Sequence, residues 1–300
     1  MDLEARHLRY VVALAETLHF SRAAERLHMS QPALSARIKA IEKHLGVPLF
    51  QRTTRSVTCT DAGHRFVDHA REILRLLGDA EREARDSALG RVVPIGFYGV
   101  AAGDLTAAII DRFRDHNPGV EIELKRHGWE DPSAGLHDRK VPLAFVRPPF
   151  HTRGLRMLTL LSEARVVGLP SSHPLAHRDT VDVTELLTDP IAVRRTPDEL
   201  WSAFWSAGDL LASVPAPRLF EVRDVDEELQ AVALGRAITF TTTAAQEYFP
   251  RPGVTYVPLT GLPPSPIALA WHANETDPAC HAFVDAARYV LAQQRKKKRK

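Results

Sequence analysis

The stretch that most constrains this chain runs from Phe20 to Thr58. Its first part, Phe20-Ser21-Arg22-Ala23-Ala24-Glu25-Arg26-Leu27, has helical spacing, and so does Gln31 to Leu45. Only His28-Met29-Ser30 separates the two. Ser21 and Ser30 stand where a hydroxyl can accept the unpaired amides of a first helical turn. Pro32 falls in such a turn, where its missing N–H costs no hydrogen bond. Gly46 supplies the left-handed residue that ends a helix. Two short helices meeting at so tight a connection predict a helix-turn-helix.

The second helix can be oriented by arithmetic. At about 100° per residue, Leu34, Ile38, Ile41 and Leu45 share one side and would pack inward. Pro32, Ser35, Ala36, Lys39 and Lys43 fall opposite, with Gln31 near the leading end. A face this small, polar and cationic suits a helix entering a DNA major groove. Gln31 and Ser35 can reach base edges, and the lysines can meet phosphates. A solvated amphipathic helix is the bland alternative, which the capped pair and the basic turn that follows outweigh. Upstream, Leu8, Val11, Val12, Ala15 and Leu18 recur as on a third, amphipathic helix. Downstream, Leu49-Phe50-Gln51-Arg52 and Ser56-Val57-Thr58-Cys59 flank the polar turn Thr53-Thr54-Arg55. That pattern suits a two-stranded wing, with Arg52 and Arg55 at its tip beside backbone or minor groove.

Residues 3–63 resemble the winged helix-turn-helix of the LysR-type transcriptional regulators. The matching positions are Leu8, Phe20, Ala23, Ala24, Leu27, Ser30-Gln31-Pro32-Ala33-Leu34-Ser35, Ile38, Leu45-Gly46, Leu49-Phe50, Arg52 and Thr60-Asp61-Ala62-Gly63. Two positions depart from the pattern. Ala36 stands where many members carry arginine, so that contact is absent or passes to Arg37. Cys59 replaces a usual leucine, a swap suited to a buried site. The resemblance implies that Ser30, Gln31, Pro32, Ser35, Ala36, Arg37, Lys39, Lys43, Arg52 and Arg55 form the face toward double-stranded DNA.

Three hundred residues allow two or three domains, and 44% hydrophobic with 25% charged residues is a globular composition. No apolar run approaches the roughly eighteen residues of a membrane span. Asp2, Glu4 and Arg6 interrupt any export-type leader, which predicts a cytoplasmic protein with no membrane partner. Cys59 and Cys280 give neither a disulfide framework nor a metal spacing. The net charge of +2 hides a polarity: residues 1–60 carry +4, the tail 295–300 carries +6, and 61–294 carry −8. Positive charge thus gathers at the proposed DNA end. The tail itself reads as a solvated terminus or as added non-specific nucleic-acid affinity.

Thr60 or Asp61 opens a helical pattern that reaches about Leu89. Ala62, Phe66, Ala70, Ile73, Leu76, Leu77, Ala80 and Ala84 follow a three/four rhythm. At about 1.5 Å per residue this helix is roughly 43 Å long. Its stripe is best buried against a second copy of itself, giving a dimer, and the resemblance names the same segment as a dimerising linker. From Arg91 strands alternate with helices, which predicts an α/β domain with parallel sheets. The resemblance divides it into two lobes built like periplasmic solute-binding proteins, with crossings near Ser162–Ala164 and Pro263–Pro266. The expected plan is therefore a winged helix-turn-helix over 1–59, a linker helix over 60–89 and an α/β effector-binding domain over 90–294. Its lobe I covers 90–162 and 267–294, its lobe II 163–266, and a basic tail occupies 295–300.

Ligands of α/β sheets bind beyond the carboxyl ends of strands. Those positions here offer Tyr98, Gly99, Trp129, Arg147, Arg194, Thr196, Thr241 and Thr242. Arg147, directly after the apolar run Leu143 to Val146, is the sharpest candidate. Its guanidinium could take a carboxylate in bidentate fashion, or serve a structural ion pair. The resemblance adds a small organic acid as effector, assembly to tetramers, and contact with RNA polymerase. No cofactor, metal set, phosphate loop or nucleophile elbow is legible. The reading is a ligand-modulated, sequence-specific DNA-binding regulator; a solute-binding protein or an enzyme using the same cleft are the rivals.

Overall fold

The computed structural model describes residues 3–52, 57–89, 91–212, 214 and 218–297. It divides into two compact units, Met1–Leu89 and Gly90–Lys300.

The first unit contains α1 (Ala5–Thr17), α2 (Phe20–Arg26), α3 (Gln31–Leu45), β1 (Phe50–Arg52), β2 (Val57–Cys59) and α4 (Asp61–Leu89). Leu34, Ile38 and Ile41 of α3 are fully buried against Val11, Leu14, Ala23, Ala24, Leu49, Phe50 and Val67. Each such side chain contributes about 1.5–3 kcal/mol by leaving water. Leu45 is only partly buried. The Ser30 hydroxyl accepts the Ala33 amide at 3.4 Å, Pro32 sits in the first turn, and Gly46 is left-handed at φ 72°. The cap of α2 is a correction. His19, not Ser21, accepts the Arg22 amide through Nδ1 at 3.5 Å, and Ser21 lies inside the helix. Phe20, drawn onto the core, starts the helix ahead of the serine.

Strands β1 and β2 pair antiparallel, Phe50 opposite Cys59 and Arg52 opposite Val57. Arg55 and the side chain of Arg52 lie outside the described residues. Glu42 of α3 holds the strand entry, one carboxylate oxygen accepting the Leu49 and Phe50 amides at 3.0 Å each. Thr60 caps α4 by accepting the Gly63 amide at 2.9 Å and donates to the Pro48 carbonyl at 2.8 Å. Gly63 allows this approach, because a Cβ there would stand 2.1 Å from the Leu49 carbonyl oxygen. Along α4, Val67 and Ala70 are buried, whereas Ile73, Leu76 and Leu77 are 51%, 53% and 39% exposed.

The second unit begins with β3 (Arg91–Phe97), α5 (Asp104–His116), β4 (Val120–Arg126), β5 (Leu143–Val146) and β6 (Leu155–Glu163). Next come β7 (Arg165–Pro170), β8 (Val181–Asp182), β9 (Ile191–Arg194), α6 (Glu199–Ser206), α7 (Gly208–Leu211) and β10 (Leu219–Val222). The chain ends through α8 (Val225–Ala233), β11 (Thr239–Thr242), α9 (Thr243–Tyr248), β12 (Val254–Thr260), β13 (Ser265–His272) and α10 (Pro278–Lys297). One sheet has the order β4-β3-β5-β13-β6 and another β11-β7-β12-β8, while β9 and β10 form a separate parallel pair.

The sheets are mixed, which corrects the expectation of parallel ones. Strand β3 runs parallel to β4 and β5, but β13 is antiparallel to β5 and β6, and β7 to β11 and β12. The chain passes from β6 into β7 through Ala164 alone and returns from β12 to β13 over 261–264. Helices α5 and α10 cover one face of the five-stranded sheet with Ile109, Phe113 and Phe283. The other face, Ala144, Val146, Ala268 and Ala270, receives Trp201 and Trp205 of α6.

Candidate functional site

On the first unit, Gln31, Pro32, Ala36, Arg37, Lys39 and Lys43 are exposed along α3, and Ser35 is half-buried. The hydroxyl of Ser30 is engaged in the cap. Between the helices, Glu16 of α1 takes Arg26 at 2.7 Å and Arg71 at 3.3 Å, tying α2 and α4 to α1. The helix therefore shows an apolar side to its own core and a continuous polar, cationic side outward.

Within the second unit a cavity of about 460 Å³ opens where the two sheets meet. Tyr98 and Gly99 reach it from the end of β3, Trp129 from the turn after β4, and Arg147 from the end of β5. Arg194 comes from the end of β9, Thr241 and Thr242 from the end of β11, and Trp205 from α6. Thr196 is the one predicted side chain that does not line it. Its hydroxyl accepts the Asp198 amide at 3.2 Å, just before α6. Glu228, Thr239 and Tyr256 also line the wall and were not singled out in the sequence.

The electrostatics of this wall are unusual. Arg147 Nη1 lies 2.8 Å from Glu163 Oε2. Arg194 Nη2 lies 2.7 Å from Glu228 Oε1, and the Thr239 hydroxyl donates to the same oxygen at 2.6 Å. A third guanidinium, Arg165 at the start of β7, is not part of the lining but donates through Nε to the carbonyl of Thr241, which is, at 3.1 Å. Among the described residues no carboxylate pairs with it. Burial first, then the neighbouring Arg194 and Arg147 charges, pushes its pKa down to about 9. Rings and cations alternate: Arg194 stands 4.9 Å from the Trp129 centroid and 4.7 Å from that of Trp205. Arg165 is 4.8 Å from Trp205 and 4.8 Å from Phe204. Each such contact is favourable by about 0.5–2 kcal/mol.

Tyr98 fastens the wall. Its hydroxyl accepts the Arg147 amide at 2.7 Å and the Trp201 indole N–H at 3.3 Å, and burial pushes it up to about 12. Asp198 accepts the His151 and Trp201 amides at 2.8 and 3.0 Å and thereby caps α6. Burial alone would raise its pKa, but the His151 and Trp201 amides hold it below the usual carboxylate range. Among the described residues no helix is long and apolar enough to cross a membrane, and no three His, Cys, Asp or Glu side chains could hold a metal ion.

A helix-turn-helix with an outward cationic face, in one chain with a two-lobed α/β unit that encloses a ligand-sized pocket, defines a DNA-binding protein that senses a small molecule. Residues 5–64 match the bacterial regulatory helix-turn-helix of the lysR family, and residues 87–292 match the LysR substrate binding domain. The chain belongs to the LysR family of transcriptional regulators. It is 32% identical over 301 residues to the Hca operon transcriptional activator HcaR of Escherichia coli, covering 97% of this chain and 99% of that one. It is 31% identical over 252 residues to the regulator AlsR of Bacillus subtilis, covering 82% and 83%. The crystal structure of full-length BenM superimposes with a TM-score of 0.56 at 26% identity, covering 97% of this chain and 98% of BenM. The chain is accordingly a sequence-specific DNA-binding regulator whose action a small-molecule effector modulates.

Proposed function

We propose that α3 reads the operator through Gln31 and Ser35, while Ser30, Pro32 and Ala36 let the helix approach closely. Arg37, Lys39 and Lys43, with Arg52 and Arg55 of the wing, meet phosphates. The pocket receives a small organic acid on its guanidinium side, near Arg147 and Arg194, with its apolar body against Tyr98 and Trp129. The cavity binds and releases this effector unchanged. Two copies pair through the exposed stripe of α4, dimers associate to tetramers, and RNA polymerase is the further partner of the assembly in the cytoplasm. The effector acts only through different affinity for two arrangements of the assembly.

The observation that carries the DNA reading is α3 itself: three fully buried aliphatics inward, and Gln31, Ala36, Arg37, Lys39 and Lys43 exposed outward. Fluorescence anisotropy on the DNA upstream of its own gene tests it. Tight binding at low ionic strength should fall steeply with added salt. Failure to bind any such fragment at low salt would overturn the assignment of α3. For the pocket, a carboxylate that stabilises the protein without altering operator affinity would argue against an effector role.

A further inference from the structure

Glu42 follows Ser35 by about two turns of α3, so the two lie within about 20° of each other on one flank of the helix, beside Lys39. An anion on a flank turned toward DNA is costly, because phosphates repel it. The half-buried carboxylate of Glu42 is nevertheless used there. One oxygen, Oε1, accepts the amides of Leu49 and Phe50, 3.0 Å from each. Successive amides converging on one oxygen form a small nest for an anion, and this one sits at the entry to β1.

The same segment is gripped from the other side. Thr60, at the head of α4, donates its hydroxyl to the Pro48 carbonyl at 2.8 Å and its amide to the Leu49 carbonyl at 2.9 Å. The side chains of Leu49 and Phe50, 1% and 4% exposed, lie in the core with Ile38 and Ile41. Apolar burial is non-directional, so it fixes how deep the segment sits but not where it points. Hydrogen bonds supply the direction. Direction matters because β1 and β2 are only three residues long each. A two-stranded ribbon so short has little stability of its own. Its course is therefore decided at the root, and any tilt there is magnified outward toward Arg52 and Arg55.

Resting on the wing contacts proposed above, we propose that Glu42 is a positioning residue for DNA recognition. Its carboxylate sets the angle between α3 and the wing, so that the wing arginines meet phosphates while Gln31 and Ser35 face bases. Glu42 itself touches no DNA. A bystander anion and a positioning anion have opposite signs. Removing a bystander relieves repulsion and tightens binding, whereas removing the positioning residue loosens it.

Fluorescence anisotropy of the full chain on the DNA upstream of its own gene, across a salt series, separates the two. Glu42→Ala should bind more weakly, and its slope of log affinity against log salt should be shallower by about one to two units, one for each wing arginine displaced. At about 0.1 M salt each lost contact is roughly tenfold in affinity. Glu42→Gln keeps an acceptor for both amides and should hold the parent slope. If a melting curve shows that Glu42→Ala does not fold, Glu42→Asp decides: it keeps the charge, falls one methylene short of the amides, and should also flatten the slope. A folded variant of either kind that keeps the parent slope, or binds more tightly, overturns the positioning role. Arg52→Ala combined with Arg55→Ala tells this apart from failure of the wing contacts. If that double variant flattens the slope and Glu42→Ala does not, the wing reading stands and the positioning role falls. If the double variant keeps the parent slope, the wing meets no phosphate and both fall.

Discussion

Arg194 and Glu228 make an ion pair whose side chains are only 5% and 3% exposed. A pair so dry contributes little net stability, but removing one partner leaves a buried charge uncompensated. Glu228→Gln should therefore cost about 3–5 kcal/mol in urea unfolding. Pairing it with Arg194→Met should restore much of that loss, since the stranded charge is gone. A cost below about 1 kcal/mol for the single variant would mean that Trp129 and Trp205 compensate Arg194 by themselves. Arg147 and Arg194 were legible in the sequence because each closes an apolar strand. Arg165 was not. The strand-end rule looks at carboxyl ends, and Arg165 opens β7; because β7 runs antiparallel to β11, that opening residue lies opposite Thr242, which lines the pocket. Glu163 and Glu228 were equally hidden, since their pairing depends on contacts distant in sequence.

Helices were easier to read than strands. Helix α4 spans Asp61–Leu89, the limits its three/four rhythm predicts, and α3 carries its caps on Ser30 and Gly46. Strand β6 was missed because its burial alternates irregularly, and β12 because Pro258 demotes a run to edge or loop. Two predictions belong to these helices. Lys39→Ala should reduce the slope of log affinity against log salt by about one unit, equally on all sequences. Gln31→Ala should instead relax base preference, losing about 1–3 kcal/mol on the operator and little elsewhere; anisotropy over a salt series and a mutated operator separates the two. On α4, Ile73→Glu with Leu76→Glu places charges in the exposed stripe. Light scattering should then show monomers where the parent gives dimers or larger. An unchanged mass would move the self-association surface elsewhere.

At the scale of the whole molecule, two compact units, each with its own core, share one chain, and regulation requires that occupancy of one alter the other. Such coupling is a free energy, and it is reciprocal. If an acid changes operator affinity by a given factor, saturating operator must change the affinity for that acid by the same factor. Couplings of this kind are about 1–3 kcal/mol, or roughly 5–150-fold. Titrating the best-binding organic acid into free protein and into the protein–operator complex, at one ionic strength because phosphate contacts are salt-dependent, should give two affinities in that ratio. The α4 double variant tests what carries the coupling. If effector binding works by rearranging paired copies, a monomeric variant should still bind the acid while the ratio collapses toward one. A monomer that retains the full ratio would place the coupling within a single chain, and the exposed stripe of α4 would then serve only to double the DNA contact.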